Sequence, residues 1–297
     1  MNSRERGFLL LSSNLGDPRR RPLTTAQLRV LVDRAWQLDV SQPDRELEVR
    51  DLVALGYSAW DAGRILDLLS QEDVLEHYLR RAEKADCYPI TRVSEGYPQL
   101  LRRRLGLDSP GVLWAKGDAA LLRTPMIALV GSRDLADRNC DFAREAGRQA
   151  ALQGYTLVSG NARGADREAQ SACLAAGGCV ISVVADGLPD KPQQDRVLYL
   201  SEDCFDGEFS SQRALSRNRV IHALGWKTLV AQCSLGMGGT WDGTVKNLRF
   251  GWSDVFCCND GSEAVQKLIQ MGAVGIEMED LQQIDSLQGA QEKLFDQ

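Results

Sequence analysis

Histidine is almost missing from this chain: among 297 residues only His77 and His222 occur, and both fall in segments patterned as helices. With no histidine in a loop, a Ser–His or Cys–His nucleophile pair lacks its base, and the two present read as surface or packing residues. Gly-x-Ser-x-Gly is absent and no paired carboxylates flank a candidate site, so no catalytic residue is assigned. Gly-x-x-x-x-Gly-Lys-Ser/Thr is absent too, which removes ATP hydrolysis through a P-loop. Eight cysteines are present without a Cys-x-x-Cys pair. Several lie in apolar runs such as Cys179–Val184, so they read as buried reduced thiols in a cytoplasmic protein, with no metal and no cofactor. No apolar run approaches the roughly eighteen residues of a membrane span, and Phe8-Leu-Leu-Leu11 is too short for a signal-peptide core. Aromatic residues make up only 6%, which limits base stacking. Acids outnumber bases, 41 to 35, for a formal net charge of -6, and this opposes unspecific coating of nucleic acid while leaving local cationic clusters open.

What the chain does contain is a change of rhythm. Residues 24 to about 86 read as short helices. Thr24 or Thr25 caps the first, with Leu28, Val30, Leu31, Ala35 and Leu38 at helical spacing. Another runs from Leu47 to Leu55 and stops at Gly56, a third follows Ser58, and a fourth covers Gln71–Lys84. From Pro125 onward apolar runs alternate with amphipathic segments. Strands are expected at Met126–Val130, Thr156–Ser159, Val180–Ala185, Thr228–Ala231 and Asp254–Cys258. Helices are expected at Asp141–Gln153, Asp166–Ala176, Gln212–Leu224, Thr240–Phe250 and Glu263–Met271. Such alternation specifies an α/β fold: a Rossmann-like, mostly parallel sheet with helices on both faces, here preceded by a small all-helical domain. The expected boundaries are 1–90 for the helical domain, 91–275 for the Rossmann-like domain and 276–297 for a loose polar tail.

Three loops and one helix of this pattern favour anions. Gly131-Ser132-Arg133 follows a strand and precedes a helix, supplying backbone N–H groups, a hydroxyl and a planar guanidinium that can donate two bonds to phosphate. The bland alternative is a tight turn with a solvated arginine. Ser159-Gly160 leads through Arg163 and Gly164 to Asp166, which is positioned to cap the next helix. Gln212–Arg219 packs Arg213, Arg217 and Arg219 around Asn218 without an acid, and Arg213 and Arg217 share a helix face as a positive stripe, or as a merely solvated one. Gly238-Gly239-Thr240 opens another helix behind the strand at 228–231, but it is not a dinucleotide fingerprint, because Trp241 stands where the third glycine belongs.

In order along the chain, these motifs resemble the DprA/Smf family of bacterial DNA-processing proteins. The match begins at Tyr97-Pro98 and Asp108-Ser-Pro110 through Lys116-Gly117. It continues through Val130-Gly-Ser-Arg133, Val158-Ser-Gly160-x-Ala162-x-Gly164-x-Asp166, Gly177-Gly178, Phe209 and Arg217-Asn-Arg219-Val-Ile221. The resemblance implies a domain that binds single-stranded DNA through Arg133, Arg217 and Arg219, loads the RecA recombinase in natural transformation and often forms a homodimer. It also implies a lysine, for which Lys191 is the candidate. The family's Ile and His after the Ser-Gly loop are Ala165 and Gln170 here, its Gly-Ser-Leu turn is Met237–Trp241, and the short tail has no room for a winged helix. A fainter resemblance, of Met237–Thr240 to the LOG nucleotide-binding proteins, implies the alternatives of a small nucleotide ligand, either sensed or hydrolysed as a nucleoside monophosphate, with Asp242 the nearby acid.

Overall fold

The computed structural model describes residues 1–36 and 46–290. It opens with α1 (Ser3–Ser12), α2 (Thr25–Ala35), α3 (Val49–Ala54), α4 (Ala59–Leu69) and α5 (Glu72–Lys84). Side-chain oxygens of Thr24 and Ser58 accept the Gln27 and Asp61 backbone N–H groups, so the caps read in the sequence start α2 and α4. The Phe8–Leu11 patch lies in α1, a helix not foreseen, which buries Leu9 and Leu10. Leu38 lies outside the described residues.

β1 (Tyr88–Thr91), α6 (Gln99–Leu105) and β2 (Val112–Lys116) come next. Then follow β3 (Met126–Val130), α7 (Asp137–Leu152), β4 (Thr156–Ser159), α8 (Ala165–Ala175), β5 (Cys179–Val184), β6 (Val197–Glu202) and α9 (Ser211–Leu224). The chain continues through β7 (Lys227–Val230), α10 (Gly238–Phe250), β8 (Asp254–Cys258), α11 (Glu263–Gln270) and β9 (Val274–Ile276). The strands form one α/β sheet in the order β1-β2-β6-β5-β4-β3-β7-β8-β9. β1 and β2 run antiparallel at one edge, and every pairing from β6 to β9 is parallel.

Side-chain alternation along the strands divides the core. Ile127 and Leu129 face Phe142, Ala146 and Ala150 of α7 and Ala169 of α8. Ala128 and Val130 face the opposite layer, which includes Val220, Ile221 and Leu224 of α9 and Val265 and Leu268 of α11. Both faces are thus covered, as the continuous apolar runs required. The helical segment splits in two. Leu23, Leu28, Leu52, Ala62, Ile65 and Leu68 form a small cluster of their own. Leu9, Leu75 and Tyr78 join the sheet's core instead, where the Tyr78 ring lies 5.3 Å from Trp114 and 4.9 Å from Phe205. α1 and α5 are therefore a docked part of the sheet layer.

The C-terminal expectation needs correcting. Residues 276–290 are no loose tail: Glu279–Ser286 form 3₁₀ turns, and Leu281 and Ile284 are fully buried beside α7. Those two apolar residues supply the burial that the polar average of the stretch conceals. Residues 291–297 lie outside the described residues. No helix of the described residues is long and apolar enough to cross a membrane.

Candidate functional site

The connections reverse direction at β3. From β3 the chain winds through α7 and β4 toward β6, then α9 carries it back to β7 on the other side of β3. The loops leaving the carboxyl ends of β3 and β7 therefore diverge, and the crevice between them is where open α/β sheets hold ligands. A cleft of about 410 Å³ lies there. The β3 loop supplies Gly131, Ser132 and Arg133, α9 supplies Arg217 and Asn218, and the start of α10 supplies Gly238, Gly239 and Thr240. A second depression of about 330 Å³ adjoins it across Arg133, Phe209 and Arg217 and takes in Gly160, Arg163 and Lys191. The topology thus gathers four separated motifs into one elongated surface.

The walls are braced by side chains. Thr240 Oγ1 donates to the Gly131 carbonyl at 2.9 Å, and Asn218 Nδ2 donates to the Gly239 carbonyl at 2.9 Å, tying β3, α9 and α10 together. The first amides of α10 have no partner within their own helix, and their residues Gly238, Gly239 and Thr240 line the cleft. Gly164 has φ +84, and a Cβ there would lie 2.4 Å from the Ser132 carbonyl oxygen, so only glycine lets the β4 loop pass under the β3 loop.

Arg217 is the floor of the site. It is 9% exposed, and its guanidinium rests on Gly160, where a Cβ would come within 1.4 Å of Nη1. Among the described residues it makes no ion pair or hydrogen bond, and its buried Nε has no partner. Burial lowers its pKa, and Asp166 opposes that fall. The Asp166 carboxyl is wholly buried, and burial pushes its pKa up against the pull of Arg217. A buried cation held by no ion pair or hydrogen bond is costly even in the field of Asp166, and an anion entering the cleft would complete it. Arg133 stands exposed at the rim, also without a partner among the described residues.

Several expected roles change. Asp166 does not cap α8, whose N-cap is Gly164. Its Oδ2 accepts the Ala162 backbone N–H at 3.0 Å and so holds the loop beneath Arg217. Ser159 is fully buried and accepts a 2.6 Å bond from Gln170 Nε2, so it faces α8 rather than the cleft. Arg213 and Arg219 form no stripe with Arg217. Arg213 donates inward to the Ala185 carbonyl at 3.1 Å and to Ser201 Oγ at 2.8 Å. Arg219 pairs with buried Glu202 at 2.8 Å and donates to the Asp108 carbonyl. Both arginines hold the fold, because strand-end carbonyls and a buried carboxylate reach them first. Arg163 and Lys191 line the second depression but are ion-paired, with Asp134 and Asp186 respectively, each at 2.6 Å.

Two further residues join the site: Phe209, which the sequence offered only as part of the family resemblance, and Arg167, to which it gave no role. Phe209 is 57% exposed and lines both depressions, offering an aromatic face between them. Arg167, on the first turn of α8, adds a cation to the second depression. His222 is fully buried between Thr228 and Asn247, and burial lowers its pKa to about 3, so it packs as a neutral ring. Asp242 turns to Lys246 at 2.8 Å and does not line the cleft. All eight cysteines are free, and among the described residues no group of acids, histidines and cysteines is placed to hold a metal.

A doubly wound sheet with an arginine-floored cleft at its reversal point defines a Rossmann-like protein with a candidate anion site. Residues 89–283 match the family model of DNA recombination-mediator protein A, and the chain belongs to that family. The Smf protein of Escherichia coli K12 is 30% identical over 217 residues, covering 67% of this chain and 57% of its own length. The DNA processing protein DprA of Streptococcus pneumoniae is 31% identical over 209 residues, covering 63% of this chain and 67% of its own length. The chain thus spans a little over half of the Escherichia coli relative. Among solved structures, DprA from Streptococcus pneumoniae superposes with a TM-score of 0.66 at 23% identity, covering 90% of this chain and 99% of that one. DprA from Helicobacter pylori gives 0.55 at 22%, covering 71% and 96%. At these identities the structural likeness shows the fold.

Proposed function

We propose that this protein is a DNA-processing protein that binds single-stranded DNA by its phosphates, without catalysis of its own. The observation that carries the reading is Arg217, buried at the junction of two adjoining depressions with no ion pair or hydrogen bond among the described residues. Arg133 at the rim, Phe209 between the depressions and the open amides of α10 extend the same surface in both directions. A site that continues past its central cation suits a polymer, whose next phosphate must leave the first pocket. A single-stranded DNA binding mode has been described for the Helicobacter pylori relative, which supports the same ligand here. RecA loading, homodimerisation and a cytoplasmic setting enter the proposal through family membership.

The competing ligand is a free nucleotide, which a cleft of about 410 Å³ has room to hold. Titration of oligo-dT and of a mononucleotide and cyclic-nucleotide panel at two salt concentrations separates the two. Oligo-dT should bind more tightly, with a log–log salt slope of about -0.7 per phosphate neutralised. Arg133→Ala should weaken binding to every sequence alike, since a phosphate contact positions the strand without reading it. Tighter binding of a mononucleotide than of oligo-dT would replace this reading with the nucleotide one.

A further inference from the structure

A second cleft, of about 430 Å³, lies away from the sheet's reversal point, between α1, α2 and the β1–α6 segment. Four arginines line it, Arg4, Arg29, Arg92 and Arg102, and each comes from a different element. Among the described residues Asp33 and Glu95 are its acids, so two positive charges are left over. Asp33 lies 3.9 Å from Arg29 and serves that arginine alone.

Arg92 and Arg102 have no carboxylate partner among the described residues. Arg92 donates from Nη2 to the Gly106 carbonyl at 2.8 Å, and Arg102 donates from Nη2 to the Arg92 carbonyl. Arg92 Nη1 and Arg102 Nε are left buried without any hydrogen-bond partner. Burial lowers the Arg92 pKa, and the like charge of Arg102 lowers it further. Two neighbouring guanidiniums that share no counter-ion repel each other in a partly desolvated place, an arrangement that an external anion relieves. The rest of the lining is apolar, with Phe8, Leu28 and Val32 from the helical segment and Leu107 beyond α6. Val32 is 54% and Leu107 45% exposed, so the floor is open to a ligand.

We infer that this cleft is a second anion site that takes a phosphate ester with a flat or apolar body, a nucleotide unit, independently of the Arg217 site. A phosphate monoester dianion, or two successive phosphodiesters of a strand, matches the surplus of two charges and the planar forks of paired arginines, while the base lies on the apolar floor. The source is either a free nucleotide or the phosphodiesters of a DNA strand.

The test uses the full chain carrying Arg217→Ala, which silences the first site, with and without Arg4→Glu and Arg29→Glu. Those two rim arginines are exposed; Arg4 has no partner among the described residues, and Arg29 has only the long contact to Asp33, so their reversal leaves the fold alone. Calorimetric titration with dTMP and with oligo-dT should show residual, salt-sensitive binding that the rim reversals weaken about tenfold or more, with the ligand-free thermal midpoint unchanged. One equivalent of dTMP identifies a free nucleotide as the source. Binding of oligo-dT alone identifies the strand. Arg92→Gln with Arg102→Gln should abolish the same residual binding in any variant that keeps its circular dichroism. The inference is overturned if Arg217→Ala removes all binding, if the rim reversals leave both titrations unchanged, or if polyglutamate displaces the phosphate esters.

Discussion

Arg213 and Arg217 lie one turn apart on α9, and their substitutions should act in opposite ways. Replacing Arg217 by methionine keeps most of the volume and removes a buried charge that no described residue meets with an ion pair or hydrogen bond. If a phosphate completes that charge, the lost charge-assisted bonds cost about 2–4 kcal/mol of binding, or roughly 30- to 700-fold in Kd. The salt slope should also shrink by about 0.7, the share of one phosphate on a single strand. Stability should change little, because the guanidinium no longer has to be desolvated in folding while the buried Asp166 carboxyl loses its pull. Arg213→Met has the reverse signature. It strands the Ala185 carbonyl and the Ser201 hydroxyl, which now accept from the guanidinium. That should cost about 1–3 kcal/mol of stability. Binding by the folded fraction should be unchanged. Fluorescence anisotropy with labelled oligo-dT over a salt series, alongside urea unfolding, measures both quantities. Equal losses of affinity and of salt slope in the two variants would refute the reasoning, since they would mean that α9 presents a solvent-facing stripe after all.

Gly160→Ala should mimic loss of Arg217, because the added methyl would lie 1.4 Å from Nη1 and 2.2 Å from Cζ and so force the guanidinium off its seat; undiminished affinity in an oligo-dT titration would count against that seat. Phe209→Ala should cost about 1–3 kcal/mol of strand binding through lost base stacking. It should leave the melting temperature unchanged, because the ring is 57% exposed, and a fall in melting temperature without a fall in affinity would make the ring a packing residue. Glu202 gives a pH test: burial pushes its carboxyl from 4.5 up to about 7, although Arg219 lies 2.8 Å away. Its contribution to stability is complete below 4.5 and is lost as the pH rises through about 7, because over that window the folded state holds a proton that the unfolded state has released. The urea midpoint should therefore fall between these values, and Glu202→Gln should flatten the fall; an unaltered slope would assign the proton to another group.

The parallel heart of the sheet was legible because each of its strands is an apolar run emptying into glycine or polar residues, as at Ile127–Gly131 and Leu157–Gly160. β6 was overlooked although Val197-Leu-Tyr-Leu200 is as apolar as its neighbours. The alternation template demands a helix between parallel strands, and here residues 185–196, with Gly187, Pro189 and Pro192, cross as a loop. β1 and β2 join the sheet antiparallel from outside the alternating region, so neither fits a strand–helix–strand frame. The site shows a sharper limit. Helical spacing placed Arg213 and Arg217 on one face of α9, and both do point toward strand ends. What separates them is whether a carbonyl of the fold already occupies the guanidinium. The end of β5 supplies one to Arg213, whereas Gly160 at the end of β4 leaves Arg217 only a flat seat. A cation becomes available to a ligand when the fold brings it near an anion without satisfying it. That condition is met by contacts between residues far apart in the chain, so spacing alone names the candidates and packing selects among them.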